Sequence, residues 1–272
     1  YKRQVTVWSA TQVSHYLHRE LSKVLGIPAH RLRVIQPPLG GAFGGKSEPF
    51  DLEFVVAKLA IKTGRPVKLL YTREEVFYSH RGRHPMHMRF ATGATKDGKI
   101  TGVRSKILID GGAYASFGLV TSYYAGQLLT GPYEFPTYAF DATRVYTNKP
   151  CCGPKRGHGS VQPRFAFEVQ LDEVAEKLGM DPIAIRRKNF IGDYVTTVNG
   201  QKIGSNGFLQ CLDMVEKASA WKERRGKLPR GRGLGVAGSM YISGTAYPIY
   251  PNEMPQSAVM IRLDRSGVVM VH

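Results

Sequence analysis

Two glycine-rich stretches carry the residues best suited to chemistry. In the first, residues 40–47, Gly40, Gly41, Gly44 and Gly45 surround Ala42 and Phe43 and are followed by Lys46 and Ser47. Glycines let the backbone take positive φ and approach a ligand with no side chain in the way. In the second, residues 153–160, Arg156 and His158 are interleaved with Gly157 and Gly159. A guanidinium is permanently charged and forks onto an oxyanion or phosphate. Each stretch empties into a predicted helix, and such a loop is an anion cradle, because N–H groups and the helix N-terminus face the ligand. Gln12, at the start of an earlier helix, offers a carboxamide to a shared site. Two backbone cradles and an arginine suit a large anionic cofactor better than one metal ion. The eight histidines show no carboxylate-supported pair at ligand spacing beyond the scatter of His80, His84 and His87. Plainer readings stand beside these: glycines that only turn the chain, Arg156 in a surface ion pair, Gln12 as a helix cap, His158 as a structural imidazole.

Residues 40–47 also satisfy the nucleotide-binding pattern G-x-x-x-x-G-K-[ST], and residues 107–110, Ile-Leu-Ile-Asp, resemble the acidic strand that accompanies it. Against a nucleotide, Pro37 and Pro38 interrupt the strand that should feed such a loop. Asp110 is followed by two glycines rather than by carboxylates, and Phe43 sits where a phosphate would be wrapped. A phosphate-binding module and a basic interaction domain without chemistry remain the alternatives from other classes.

The elements that must position these loops follow from the hydrophobic pattern. A strand over residues 4–8 precedes a helix capped by Ser9 or Thr11, with Val13, Tyr16, Leu17, Leu21, Val24 and Leu25 on its apolar face and Gly26 as its stop. Residues 32–35 read as a strand, 50–63 as a helix, and 67–71 as a buried strand before a turn capped by Thr72. Alternating runs over 86–93 and 100–109 flank Asp97-Gly98, a hairpin signal. Helix 121–129 and strand 138–146 lead to the second glycine loop. Ser160 then caps a helix to Leu178 with Phe165, Val169, Ala175 and Leu178 inward. Asp181-Pro182 opens a short helix, Asn199-Gly200 turns a small hairpin, and helix 208–220 turns Leu209, Leu212 and Val215 inward. Residues 222–232 form a basic boundary, and strands follow at 233–242, 258–263 and the end of the chain. The expected class is α+β, mixed sheets with packed helices, in a domain over residues 1–228 and the opening of a second over 229–272.

The 272 residues carry 38 Lys and Arg against 21 Asp and Glu, a formal net charge of +17. Such a surface favours anionic cofactors or an acidic partner. Its bases are spread evenly, with no basic helix or aromatic platform, which argues against nucleic acid. Cys151, Cys152 and Cys211 make neither a disulfide framework nor a C-x-x-C metal site, so reduced thiols and a cytoplasmic location are expected. No apolar leader and no 18-residue apolar span occurs. Tyr1 is not an initiator and the last residues read as mid-strand, as in an internal piece of a longer polypeptide.

Taken together, the motifs resemble the molybdopterin-carrying large subunit of the xanthine oxidase/aldehyde oxidase family of molybdenum hydroxylases. The matching segments come in family order: Thr11-Gln12, residues 40–46, residues 63–67 (Thr-Gly-Arg-Pro-Val), 110–114 (Asp-Gly-Gly-Ala-Tyr), 156–159 (Arg-Gly-His-Gly) and 186–190 (Arg-Arg-Lys-Asn-Phe). Within the family, residues 117–121 with 124–126, 155–161 and 212–221 are similar to the 4-hydroxybenzoyl-CoA reductase branch. The resemblance implies that Gln12, Gly41, Phe43, Gly44 and Arg156 hold the cofactor, with Gln12, the Phe43-Gly44 backbone and Arg156 facing molybdenum from outside its ligand set. It implies Ser47, Tyr124 and His158 as substrate-pocket residues. Purine-oxidising members carry Glu, Arg and Phe at those three positions, so a phenolic or aromatic acyl-CoA substrate is expected instead of a purine, with aldehyde or N-heterocycle hydroxylation as the alternative. It further implies a molybdopterin, as its cytosine dinucleotide, an iron–sulfur subunit, a flavin (FAD) subunit, and a general-base Glu in the remainder of the large subunit beyond residue 272. No catalytic residue of this segment is expected.

Overall fold

The computed structural model describes residues 4–242 and 259–271. The first packing unit is a small parallel pair. Strand β1 (Val5–Trp8) lies beside β2 (Leu32–Ile35), Val5 opposite Leu32 and Trp8 opposite Ile35. Helix α1 (Ser14–Leu25) crosses between them and buries Leu17 and Leu21 against Val7, Leu32 and Ala57. Gly26, at φ +64°, ends it. Of the two proposed caps, Thr11 accepts the Val13 N–H just before the helix, whereas the Ser9 hydroxyl is committed to Glu53 of α2 (Asp51–Thr63) at 2.6 Å. Helix α3 (Arg73–Ser79) begins with a reciprocal Thr72–Glu75 cap.

The larger unit is a three-stranded mixed sheet. β3 (Met86–Ala94) pairs antiparallel with β4 (Ile100–Asp110) through the Asp97-Gly98 turn, and β5 (Tyr138–Val145) joins β4 in parallel. The parallel pairing requires a crossover. Helix α4 (Gly118–Gln127) and a 3-10 turn at Leu128–Thr130 supply it. Helices α5 (Val161–Leu178), α6 (Pro182–Lys188), α7 (Phe208–Ser219) and α8 (Trp221–Arg224) complete the layer, with short hairpins β6 (Val195–Thr196)/β7 (Lys202–Ile203) and β8 (Ile261–Leu263)/β9 (Val269–Val271). The core gathers Ile100, Val103, Leu129, Tyr133, Phe135, Phe167 and Leu171.

Four sequence-based expectations are corrected. Residues 67–71 are not a buried strand: Leu70 is 81% exposed, and no strand among the described residues lies beside them to take their N–H and C=O groups. Together with β1 and α2 they line an open groove of about 700 Å³. On α5 the inward residues are Phe167, Leu171 and Ala175, while Phe165 and Val169 face out. Arg164 and Glu168 take inward positions instead, because Glu168 pairs with the fully buried Arg186 at 2.9 Å, and charged residues are discounted when an apolar stripe is sought. On α7 Phe208 and Leu212 are buried while Val215 turns outward. Residues 233–242 form no strand. They run over the core, where the Gly238 N–H donates to Glu168 and a Cβ on Gly238 would strike the Tyr133 hydroxyl and the Phe208 ring. The expected strand start at Ala258 lies outside the described residues; β8 begins at Ile261.

Candidate cofactor and substrate site

The two glycine loops hang from different sheets and meet. Residues 40–47 follow β2 and precede α2; residues 153–160 follow β5 and precede α5. At their crossing Gly44 has φ +87°, and a Cβ there would lie 2.9 Å from the Pro154 carbonyl oxygen. A side chain cannot fit, so the backbones pass in contact. The Arg156 N–H donates to the Phe43 carbonyl at 2.9 Å and ties the loops together. Phe43 itself holds a positive φ of 52°, a conformation that costs a non-glycine residue about 1–2 kcal/mol. Its ring lies over Gly41, where φ is +115°. Among the described residues the N–H groups of Phe43 and Gly44 meet no acceptor.

Gln12 is fastened to the same loop from the other side. Its N–H donates to the Lys46 carbonyl at 3.0 Å, and its side-chain oxygen accepts the Lys46 N–H at 3.2 Å. The carboxamide oxygen is thereby spent on the loop, and the NH₂ is the end left to act as a donor. Gln12, the Phe43-Gly44 backbone and the Arg156 backbone are thus brought together. Ser47 donates to the Gly44 carbonyl at 2.8 Å, closing a turn within its own loop.

This geometry is not that of a nucleotide-binding loop. Helix α2 begins only at Asp51, beyond Pro49, so Lys46 and Ser47 do not stand at its N-terminus. Asp110 belongs to the other sheet, where Lys149, Thr147 and the Gly112 N–H occupy its carboxylate and hold its pKa far below the usual range.

Cations crowd the crossing. The Arg83 guanidinium donates to the Arg156 carbonyl at 2.6 Å, and Arg81 stacks on the Phe50 ring. Lys155 Nζ sits 3.0 Å from His80 Nδ1. Burial, helped by Arg81 and Arg83, pushes the Lys155 pKa down, and burial with Lys155 does the same to His80. Glu48 answers part of this charge, bound to Arg81 at 3.2 Å and to the Ser116 hydroxyl. An excess of desolvated positive charge favours an anionic ligand at the loops.

The second part of the site is built on α4, which presents Thr121 and Tyr124 to the second loop. Gly159, at φ +76°, approaches so closely that a Cβ would lie 2.7 Å from the Thr121 carbonyl and the Tyr124 Cβ. His158 is thereby placed with Nε2 2.5 Å from the Thr121 hydroxyl, its ring edge-on to Tyr124 at 5.6 Å and stacked on His84 at 6.2 Å. Tyr241 meets Tyr124 edge-on at 6.1 Å. Burial pushes His84 and His158 down to about 4 each, with Arg144 adding to the effect at His84, and His84 and Arg83 at His158. Both imidazoles are neutral at pH 7. The structure therefore joins Tyr124 to His158, whereas Ser47 bonds within its own loop rather than to either.

Sequence reasoning missed Thr121, Arg81, Arg83 and Lys155 and passed over His84 as scatter. Thr121 is 37 residues from each of the two histidines it touches. Only the chain crossover brings them together, and no local pattern signals it. Among the described residues no three His, Cys, Asp or Glu side chains gather as a ligand set, and no helix is long and apolar enough to cross a membrane.

Residues 1–190 match the molybdopterin cofactor-binding domain. The chain belongs to the xanthine oxidase family of molybdopterin-binding large subunits. It is 32% identical to the xanthine dehydrogenase molybdenum-binding subunit of Escherichia coli O157:H7, over 98% of this chain and 36% of that protein. It is 39% identical to the nicotinate dehydrogenase large molybdopterin subunit of Eubacterium barkeri, over 79% of this chain and 51% of that protein. Among solved structures, quinoline 2-oxidoreductase from Pseudomonas putida superposes with a TM-score of 0.77 at 28% identity, over 83% of this chain and 30% of that one. The chain thus spans between a third and about half of these curated relatives. The mixed helix-and-sheet fold is that of the family's molybdopterin-binding domains, and the relatives are oxidoreductases.

Proposed function

We propose that this chain forms one wall of the active site of a molybdenum-dependent oxidoreductase that acts on an aromatic substrate. The observation that carries the reading is the crossing of the two glycine loops. Gly41 admits only the Phe43 ring and Gly44 only the Pro154 backbone, which fixes the two loops against each other, and among the described residues the N–H groups of Phe43 and Gly44 there lack acceptors. The Gln12 carboxamide NH₂ is on one side, and on the other the Arg156 backbone joins the crossing and carries an exposed guanidinium. These are donors suited to oxo groups and to an anionic pterin, so the residues fit the cofactor. When bound, molybdopterin supplies the two-electron redox chemistry and the oxygen chemistry at molybdenum. Gln12, Phe43, Gly44 and Arg156 would hold it and stabilise negative charge at its acceptor atoms. Its cytosine dinucleotide form, an iron–sulfur subunit, a flavin subunit and the rest of the large subunit belong to the same proposal, with the basic surface of this chain as a docking face.

Tyr124 and His158 define the substrate class. Two aromatic rings in edge-on contact, one with a phenol and one with a neutral imidazole, suit a planar ring bearing a polar atom. 4-Hydroxybenzoyl-CoA, with removal of its ring hydroxyl, is the first substrate on this reading. Hydroxylation of an N-heterocyclic ring is the second, favoured by the 39% identity to the nicotinate dehydrogenase subunit. Xanthine is disfavoured, because Ser47 and Tyr124 supply neither the acid nor the cation found there in purine-oxidising members. The test uses the intact enzyme, with reduction of 4-hydroxybenzoyl-CoA by a low-potential donor measured beside oxidation of nicotinate and xanthine by a dye. His158→Phe should lower kcat/KM for the preferred aromatic substrate roughly ten- to a hundredfold. Efficient xanthine turnover, or indifference to His158→Phe, refutes the substrate assignment.

A further inference from the structure

His158 is not alone in its part of the site. The buried Thr121 hydroxyl lies 2.5 Å from His158 Nε2, 3.4 Å from His84 Nδ1 and 3.2 Å from the Phe117 carbonyl one helical turn back. A threonine hydroxyl has one proton to give and two lone pairs with which to accept; a neutral imidazole has one N–H and one lone pair. These rules restrict where the protons sit.

The Oγ1–Nε2 separation is short for an N–H donor and within the range of an O–H donor. The Phe117 carbonyl receives the Thr121 N–H at 3.1 Å and lies farther from the hydroxyl, at 3.2 Å, than His158 Nε2 does, so the shorter contact takes the hydroxyl proton. The hydroxyl proton therefore belongs on the line to His158 Nε2. Thr121 Oγ1 is then an acceptor toward His84, whose Nδ1 must carry that ring's proton. The other tautomer would bury an N–H at His84 Nε2, an atom with no partner among the described residues. An orphaned buried donor is the rarer and costlier defect. The direction of the chain is thus fixed: His84 Nδ1–H to Thr121 Oγ1, Thr121 O–H to His158 Nε2. With Nε2 accepting, the proton of His158 resides on Nδ1.

We propose that His84 and Thr121 are positioning residues that lock His158 in its Nδ1–H tautomer, so that the substrate pocket offers a hydrogen-bond donor and selects a substrate whose aromatic ring carries a hydrogen-bond acceptor. The inference rests on the reading that His158 faces the substrate, and it narrows that substrate to one with an acceptor at that point, a phenolic, phenolate or carbonyl oxygen or an unprotonated ring nitrogen, and excludes a bare ring edge. Thr121 and His84 need not touch the substrate. Their part is to decide which face of the imidazole is a donor.

The experiment measures binding to the intact enzyme by calorimetry, with 4-hydroxybenzoate as the probe that has the acceptor oxygen and benzoate as the probe that lacks it. The wild type should favour 4-hydroxybenzoate. Thr121→Val should cut that preference about tenfold, the size of one hydrogen bond, and Thr121→Ser should restore it. His84→Phe, which keeps the ring stack and removes the donor, should move the preference in the same direction by less, and it tests the chain from its other end should Thr121→Val fail to accumulate. Steady-state kinetics on the phenolic thioester should show the loss in KM more than in kcat. Equal weakening of both probes by Thr121→Val, without rescue by Ser, would make Thr121 a packing residue and overturn the inference. If His158→Phe abolishes the preference while Thr121→Val and His84→Phe leave it intact, the positioning inference fails and the pocket assignment stands. If His158→Phe itself changes nothing, the pocket assignment fails and takes the inference with it.

Discussion

Gly44→Ala tests the loop crossing directly. At φ +87° an L residue is strained by about 1–2 kcal/mol. The new Cβ would stand 2.9 Å from the Pro154 carbonyl oxygen and 3.1 Å from the Lys155 Cα, both backbone atoms that cannot rotate away. The loops must separate by a few tenths of an ångström, which lengthens the 2.9 Å bond from the Arg156 N–H to the Phe43 carbonyl, a bond worth about 1 kcal/mol. Together these amount to roughly 2–3 kcal/mol against the loop crossing, or about thirty- to a hundred-and-fifty-fold in its occupancy. The intact variant should therefore lose molybdenum on dialysis, measured as metal per large subunit by plasma mass spectrometry. Gly40→Ala, in the same loop but with open space around its Cβ, should keep the wild-type melting temperature. A Gly44→Ala enzyme with full molybdenum and full turnover would show that the contact between the loops does not hold the cofactor.

Three further outcomes follow from the same geometry. Gln12→Ala should keep its molybdenum but slow turnover, because the Gln12 N–H still ties Lys46 and only the side-chain donor is lost; metal content and kcat measured together separate the two roles. Arg186→Met should destabilise the fold by about 3–5 kcal/mol in urea melts, since it strips Glu168 and Asp172 of their buried partner; a loss under 1 kcal/mol would mean that Arg164, 3.8 Å from Glu168, takes over. The third concerns pH. His84 is held neutral, with its pKa lowered from 6.5 to about 4, so the unfolded chain binds its proton first as pH falls. Stability should be full above pH 6.5 and decline toward pH 4, by on the order of 2–3 kcal/mol from this group. Urea melts at pH 7 and pH 5 should show the decline, and it should shrink in His84→Phe.

Where local physics decides, the fold was readable. Gly26, Gly64 and Gly179 end helices in the left-handed conformation that their positions in the pattern required, and Asp181 accepts the N–H groups of Ile183 and Ala184 ahead of Pro182. The hairpin at Asp97-Gly98 follows from alternation; β1 and β2 lie where strands were expected, but their parallel pairing was not legible. The reading failed where a residue's state depends on distant neighbours. Residues 67–71 read as a buried strand, yet among the described residues no strand lies beside them. Arg164, Glu168 and Arg186 are as charged as any surface residue, yet they satisfy one another inside. The same division runs through the site. The glycine loops announce themselves by composition, whereas His84 and Thr121 acquire meaning only through the crossover that carries α4 over the sheet.

Glu48 shows why position alone is a poor guide to chemistry here. Purine-oxidising members have a glutamate at the place of Ser47, and this chain has one a single residue later. A slip of one position would seem enough to restore the acid. The structure directs that carboxylate elsewhere. It is 9% exposed, paired with Arg81 and hydrogen-bonded by the Ser116 hydroxyl. Arg81 in turn donates to the Pro49 carbonyl and stacks on Phe50. To reach a substrate, Glu48 would have to give up its ion pair with the half-buried Arg81 and its bond from Ser116. Its role is to brace the turn that delivers Ser47 and the loop before it. Glu48 is therefore not available as the acid missing at Ser47, and on the proposed reading the polar groups left to meet a substrate are the Tyr124 phenol and the neutral His158 imidazole.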